Sequence, residues 1–325
     1  VAAIDGGEPA GAMSARLDPK AELLLEVMAA SGAKQPYELP LEQARERMRA
    51  AFIGRGALPA VDEVRDLSLP APYGTLPVRL YRPVGGELPI VLFVHGGGWV
   101  LNDLDTHDRL CRLLARRSGM LLVALHYRRA PEHRHPAPLE DALLAYRWLL
   151  DNASRIGGDA SRVALVGESS GGATVACLSL LLRDLGAQPP ALQALAYPLT
   201  DVLGRWPSHR ERGEGYTLDS RMLRWFVDSY LAEVSGRDCP YLYPMAASDL
   251  SGLPPTFLMT AEFDPLRDEG IAYGRRLTAA GVAVEHVHAS DQMHGFLLLD
   301  RALPRAAALI DCLADALRAG SACGR

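Results

Sequence analysis

The chain has 325 residues, 49% of them hydrophobic, and a formal net charge of −5. A length of this order suits one large α/β domain or two smaller ones, and the mixed charges, with no basic block or acidic tail, argue against a nucleic-acid surface or a charged partner. The five cysteines are scattered, odd in number and without a Cys-x-x-Cys, which argues against a disulfide framework or a zinc site.

Cys111, Cys177 and Cys312 fall in helix-like apolar patterns and read as small core residues, whereas Cys323, in a Gly/Ala/Ser tail, reads as an exposed thiol. No apolar run is long enough to span a bilayer. The start, Val-Ala-Ala-Ile-Asp-Gly-Gly-Glu, lacks the basic and apolar regions of a signal peptide. Cytoplasmic is the default expectation. The chain begins without Met, so a missing leader stays open.

Residues 1–16 are small, polar and Gly-rich, and are expected to be frayed or tag-derived. From Asp18 to about Phe52 the pattern is helical. Leu23, Leu24, Leu25, Val27 and Met28 form one apolar cluster, with Glu22 and Glu26 on its solvated side; Leu41, Ala44, Met48 and Phe52 recur at spacings of three and four. Asp66–Leu69 and Leu76–Tyr81 alternate apolar and polar around Ala-Pro-Tyr-Gly, an antiparallel hairpin signal. Pro89–Val94 is a continuous apolar run, as in a strand buried on both faces. Strands over Met120–Leu125, Val163–Val166, Leu192–Tyr197, Thr256–Thr260 and Val282–Val287 then alternate with helices. Those helices cover Leu139–Leu150, Thr174–Leu185, Arg267–Ala280 and Pro304–Leu317. The alternation predicts a mostly parallel sheet with helices on both faces.

The interval Thr200–Asp249 breaks this rhythm. It holds no clear strand but a helical stretch, Asp219–Leu231, with Met222, Leu223, Trp225 and Phe226. A long insertion after a strand's carboxyl end tends to sit over the active-site edge. Residues 200–249 therefore read as one half of a cap, and 17–55 as N-terminal cap helices. The core is then 56–199 and 250–325.

The chemistry centres on Gly167-Glu168-Ser169-Ser170-Gly171-Gly172, between a strand and a helix. Gly-x-Ser-x-Gly in that context is a nucleophile elbow, a turn so tight that the Ser is held strained above the sheet edge. A Ser hydroxyl also needs a base, an orienting carboxylate and oxyanion donors. The order used on such sheets is Ser, acid, His. Asp264 fits, in a loop past Thr260 and kept out of helix by Pro265. His294 fits, in a loop after the last strand. Asp268 and Glu269 compete with Asp264 but lie a turn inside the helix; His286 and His288 compete with His294 but lie in the strand or at its end. His95-Gly96-Gly97-Gly98-Trp99 follows Pro89–Val94 directly, and its glycines let bare N–H groups approach a ligand. His133 and His135 have no third ligand apparent and read as structural.

Five blocks, His95–Trp99, Tyr127–His133, Gly167–Gly172, Asp264–Asp268 and His294-Gly295-Phe296, resemble in order those of the hormone-sensitive-lipase-like family of bacterial carboxylesterases. They span about residues 64–300. More narrowly, Leu104–Arg109, Ser229-Tyr230-Leu231 and Ala261–Pro265 are similar to the bacterial acetyl esterases. The resemblance implies an α/β-hydrolase core, a mostly helical cap, no metal and no cofactor. It implies Ser169 as nucleophile, Asp264 as orienting acid and His294 as base, with the N–H groups of Gly97, Gly98 and Ser170 forming an oxyanion hole. The chain departs from the family at Glu168 and Ser170, where Asp and Ala are usual. Arg129 stands where an apolar residue is common, and reads as the partner of a cap carboxylate or as exposed.

The expected function is a serine carboxylesterase that hydrolyses short-chain acyl esters through an acyl-enzyme. The short-chain preference rests on the acetyl-esterase likeness and on Trp99 and Trp225, bulky enough to shorten an acyl pocket; Phe296 is a further pocket candidate. An amidase, a true lipase and a natural-product deacetylase stay open. So does a receptor on the same scaffold, although the plant gibberellin receptors of this family lack the catalytic His that is present here. The expected partner is a small-molecule ester, not nucleic acid or a membrane. A homodimer, the physiological ester and the stereoselectivity stay open.

Overall fold

Successive side chains of the apolar run after Pro89 enter two different cores. Ile90, Leu92 and Val94 join one hydrophobic cluster and Val91 and Phe93 the other, all fully buried. A continuous apolar strand sandwiched between helix layers has this property. The computed structural model describes residues 15–54, 56–231 and 239–322. The expectation for residues 1–16 falls almost wholly outside them, and that for Cys323 wholly so.

Two helices, α1 (Pro19–Ala30) and α2 (Leu41–Phe52), precede a hairpin of β1 (Glu63–Ala71) and β2 (Gly74–Arg82). β3 (Leu88–Val94), α3 (Leu104–Ser118), β4 (Leu121–Leu125), α4 (Ala137–Asn152), β5 (Gly158–Glu168), α5 (Ser170–Asp184) and β6 (Leu192–Ala196) follow. A short α6 (Ser208–Glu211) and α7 (Ser220–Tyr230) intervene before β7 (Thr256–Phe263), α8 (Arg267–Ala279), β8 (Val284–Met293) and α9 (Pro304–Ala322).

The eight strands form one sheet in the order β1-β2-β4-β3-β5-β6-β7-β8. β1, β2 and β4 pair antiparallel; β4 through β8 pair parallel. α4, α5 and α8 cover one face through Leu139, Leu178 and Leu277. α3 and α9 cover the other through Leu110, Leu114, Leu309 and Leu313. β3 has β4 on one side and β5 on the other, so the chain reverses its winding there. In such sheets the crevice beyond the strands' carboxyl ends at that reversal is where ligands bind.

Three expectations need correction. The stretch from Asp18 to Phe52 is helical as expected, but the apolar cluster of its first helix does not share one face. Ala21, Leu24 and Leu25 of α1 pack into the core with Leu17 just before it, while Leu23, Val27 and Met28 are exposed. Five apolar residues within six positions sweep around a helix at about 100° per residue, so some must face water. Cys312 is exposed, because the buried stripe of α9 runs through Leu309, Ile310, Leu313 and Leu317. β8 reaches Met293, beyond the expected Val287, so His286 and His288 both lie within the strand. Among the described residues no helix is long and apolar enough to cross a membrane.

Candidate active site

β5 ends at Glu168 and α5 begins at Ser170, leaving Ser169 alone in the turn with φ 56° and ψ −124°. That conformation is strained for a non-Gly residue and needs its surroundings to hold it. Backbone packing supplies the restraint. Ser169 N–H donates to Ala196 O at 2.9 Å, and Ser169 O accepts from Ala173 and Leu199 at 3.1 Å each. A Cβ on Gly171 would lie 2.1 Å from Val94 O, and one on Gly167 would lie 2.3 Å from Gly171 O. Only glycine lets these backbones cross.

Asp264 directly follows β7 and His294 directly follows β8. The parallel neighbours β5, β6 and β7 bring both toward Ser169. His294 Nε2 lies 2.9 Å from Ser169 Oγ, and His294 Nδ1 lies 2.7 Å from Asp264 Oδ2. With Nδ1–H donated to the carboxylate, Nε2 is left to accept the Ser169 proton. The other oxygen of Asp264 accepts Leu266 N–H at 2.8 Å, which fixes the carboxylate. The edge of the Tyr197 ring packs against the imidazole, 4.9 Å between centroids. Burial works against a charged imidazole, but the charge and hydrogen bond of Asp264, with the charges of Glu168 and Glu269, outweigh it. The net effect raises the pKa of His294 above 6.5.

The competing residues are engaged elsewhere. Asp268 accepts Ser208 N–H at 2.9 Å, and Glu269 binds His209 Nε2 at 2.8 Å. His286 and His288 meet at Thr260 Oγ1, 2.8 and 2.9 Å away. His135 lies 3.2 Å from Tyr230 Oη.

The glycine loop leaves β3 beside the elbow. Gly97, Gly98 and Trp99 all have positive φ, 105°, 61° and 61°. A Cβ on Gly98 would lie 1.9 Å from Cγ of Phe226, so α7 presses on the loop from above. Gly96 N–H donates to Glu168 Oε1, which also lies 3.0 Å from His107 Nε2. Tyr127 Oη donates to His95 O at 3.0 Å. Ser170 occupies the first position of α5, where an N–H has no intrahelical acceptor. Its hydroxyl accepts Trp99 N–H at 3.2 Å, a partner that the sequence left unnamed.

Arg129 matches neither reading offered for it. It is half-buried and donates to Asn102 O at 2.6 Å. Arg45, from α2, is buried and donates to Val100 O and Ala130 O, both at 3.0 Å, and to both carboxylate oxygens of Glu132. The N-terminal helices are thereby tied to the chain just beyond the glycine loop. Of the three pocket candidates, Trp99 is 1% exposed and stacks on Tyr230, and Phe296 is fully buried against Tyr197. Neither ring offers open surface. Trp225 is half-buried beside Phe226. Sequence reading missed the Glu168–His107 contact and Tyr197. Only the unusual Glu at position 168 signalled the first, and nothing signalled the second.

The family model described as the alpha/beta hydrolase fold matches residues 91–298. The carboxylic ester hydrolase LipN of Mycobacterium tuberculosis is 41% identical over 93% of this chain and 83% of its own length. The ethyl acetate hydrolase of Pseudomonas putida is 40% identical over 84% of this chain and 89% of its own. A solved ester hydrolase from the Lake Arreo metagenome, in complex with a bipyridine phosphonate derivative, superposes with TM-score 0.90 at 38% identity, covering 93% of this chain and 98% of that one. A sheet of this order, matched over the stretch that runs from β3 past His294, leaves one assignment: the chain belongs to the α/β-hydrolase fold family, among the hormone-sensitive-lipase-like carboxylesterases.

Proposed function

We propose that the chain is a serine carboxylesterase that hydrolyses short-chain acyl esters through an acyl-enzyme. The hydrogen-bonded series Ser169–His294–Asp264 carries this reading. Ser169 Oγ attacks the ester carbonyl carbon while His294 Nε2 takes its proton. The carbonyl oxygen becomes an oxyanion facing the N–H groups of Gly97, Gly98 and Ser170. Collapse of the adduct breaks the bond to the alcohol oxygen, which takes the proton from His294. Water, deprotonated by His294, then attacks the acyl-Ser169 ester; the bond to Ser169 Oγ breaks, Oγ takes the proton back from His294, and the carboxylic acid leaves. Asp264 holds the imidazole tautomer and stabilises its protonated form.

The N-terminal helices and the described residues of 200–249 form the cap in this reading, residues 232–238 lying outside the described ones; Phe226 over Gly98 and the Arg45 anchor support it. Phe226 over Gly98, with Trp225 beside it, favours a short acyl chain, and a relative named for ethyl acetate supports the same preference.

Ser169→Ala is expected to lower turnover of p-nitrophenyl acetate by about a thousandfold or more with circular dichroism unchanged. A fluorophosphonate should label the wild type and not the variant. Wild-type-like turnover by Ser169→Ala defeats the mechanism. Faster hydrolysis of decanoate than of butyrate defeats the chain-length preference alone.

A further inference from the structure

Trp99 is the last of three successive residues with positive φ. Glycine adopts this conformation freely, whereas a Trp there is strained and stays only where neighbours hold it. Two hydroxyls one turn apart on α5 do so. Ser170 Oγ accepts the Trp99 backbone N–H at 3.2 Å, and Thr174 Oγ1 accepts its indole N–H at 3.0 Å. Thr174 donates its own proton to Ser170 O at 3.0 Å, leaving its lone pairs for the indole. The other face of the clamp is aromatic: the indole stacks on Tyr230 of α7 with centroids 3.9 Å apart and planes 9° apart. Trp99 O completes the set by accepting Ala130 N–H at 2.9 Å.

We propose that Ser170, Thr174 and Trp99 form a clamp that fixes the glycine loop relative to the nucleophile elbow. Trp99 is then a positioning residue and not a wall of the acyl pocket. The proposal rests on reading Gly97, Gly98 and Ser170 as the oxyanion donors. Ser170 acts twice: its N–H faces the oxyanion, and its hydroxyl holds the loop that carries the other two donors. An Ala at 170 keeps the first role and loses the second. Oxyanion stabilisation depends on donors held within fractions of an ångström of the charge that develops. A loosened loop therefore weakens the transition state and leaves ground-state binding nearly unchanged.

The test compares Ser170→Ala, Thr174→Val, Thr174→Ser and Trp99→Phe on p-nitrophenyl acetate. It also measures affinity for an aryl trifluoromethyl ketone, which forms a tetrahedral oxyanion on the enzyme, and the thermal midpoint. Ser170→Ala, Thr174→Val and Trp99→Phe are expected to lose about tenfold in kcat, and the ketone to weaken in parallel. KM should stay within about twofold, and Thr174→Ser, which keeps the hydroxyl, should recover to within about twofold of wild type. Unchanged kcat in Ser170→Ala and Thr174→Val overturns the clamp. So does a rise in KM alone in Trp99→Phe, the mark of a pocket wall. Equal impairment of Thr174→Val and Thr174→Ser, with a matching fall in thermal midpoint, also overturns it, since packing alone then explains the loss. Ser169→Ala separates the two readings. If it is inactive while the clamp variants keep the kcat of wild type, only the clamp fails; if it is active, the esterase mechanism fails.

Discussion

Glu269, fully buried at the start of α8, holds its carboxylate 2.8 Å from the imidazole of His209, and its second oxygen accepts the N–H groups of Thr200 and Asp201 at 2.6 and 3.0 Å. Burial pushes the Glu269 carboxyl up to about 7, against the opposing pull of His209 and the two amides. Burial lowers His209, but Glu269 outweighs it and the net shift is upward. The pair thus grips a proton more tightly folded than unfolded. Its contribution to stability is full in acid and is lost as pH rises through about 7. Urea denaturation between about pH 5 and 8 should show wild type losing stability relative to Glu269→Gln, which keeps the amide acceptor but does not ionise. A pH-independent difference between the two would contradict this.

His209→Ala leaves that carboxylate buried beside two amides and no cation. Breaking such a pair costs about 3 kcal/mol or more. A fall in the urea midpoint equivalent to under about 1 kcal/mol would mean that the pair is dispensable.

The ascending limb of kcat/KM with pH should lie above 6.5, because Asp264 and its neighbours raise the pKa of His294, whose neutral form is the base in the proposed mechanism. Asp264→Asn removes the charge and leaves burial to dominate, so the limb should move below 6.5 and kcat fall by about 10⁴-fold. A limb that stays in place in Asp264→Asn would assign the titration to another group.

Two glycine substitutions should fail in different ways. Gly171→Ala drives a Cβ to 2.1 Å from Val94 O, and backbone does not yield cheaply, so soluble folded protein should be scarce. Gly98→Ala meets the side chain of Phe226, which can move. That variant should fold but lose most of its activity, since the loop and α7 must part. Pairing Gly98→Ala with Phe226→Ala should then recover thermal stability; no recovery would place the strain in the backbone.

The elbow, the glycine loop and the loops of Asp264 and His294 are legible in sequence because each is a short pattern set beside a strong apolar strand. The full length of β8 is not legible because its residues past Val287, Ala289 and Met293 apart, are polar and read as loop. The contacts that brace the loop were not legible. Glu168 meets His107 across 61 positions and Ser170 meets Trp99 across 71. The first turns of α3 carry Thr106, His107 and Asp108, polar residues that are buried and hydrogen-bonded and so give no apolar stripe there. Nor does periodicity reveal that Leu23 and Val27 face water, since Leu24, Leu25 and Met28 crowd the same short stretch with apolar side chains.

Arg45 carries a rule for anyone building chimaeras from this scaffold. Its single guanidinium serves two carbonyls and a carboxylate that belong to another layer of the molecule. A transplanted N-terminal segment that lacks a cation at this point would strand those acceptors just beyond the glycine loop. Exchange of that segment is therefore an exchange of electrostatics as much as of shape, and donor segments are best chosen by whether they bring their own arginine to that spot.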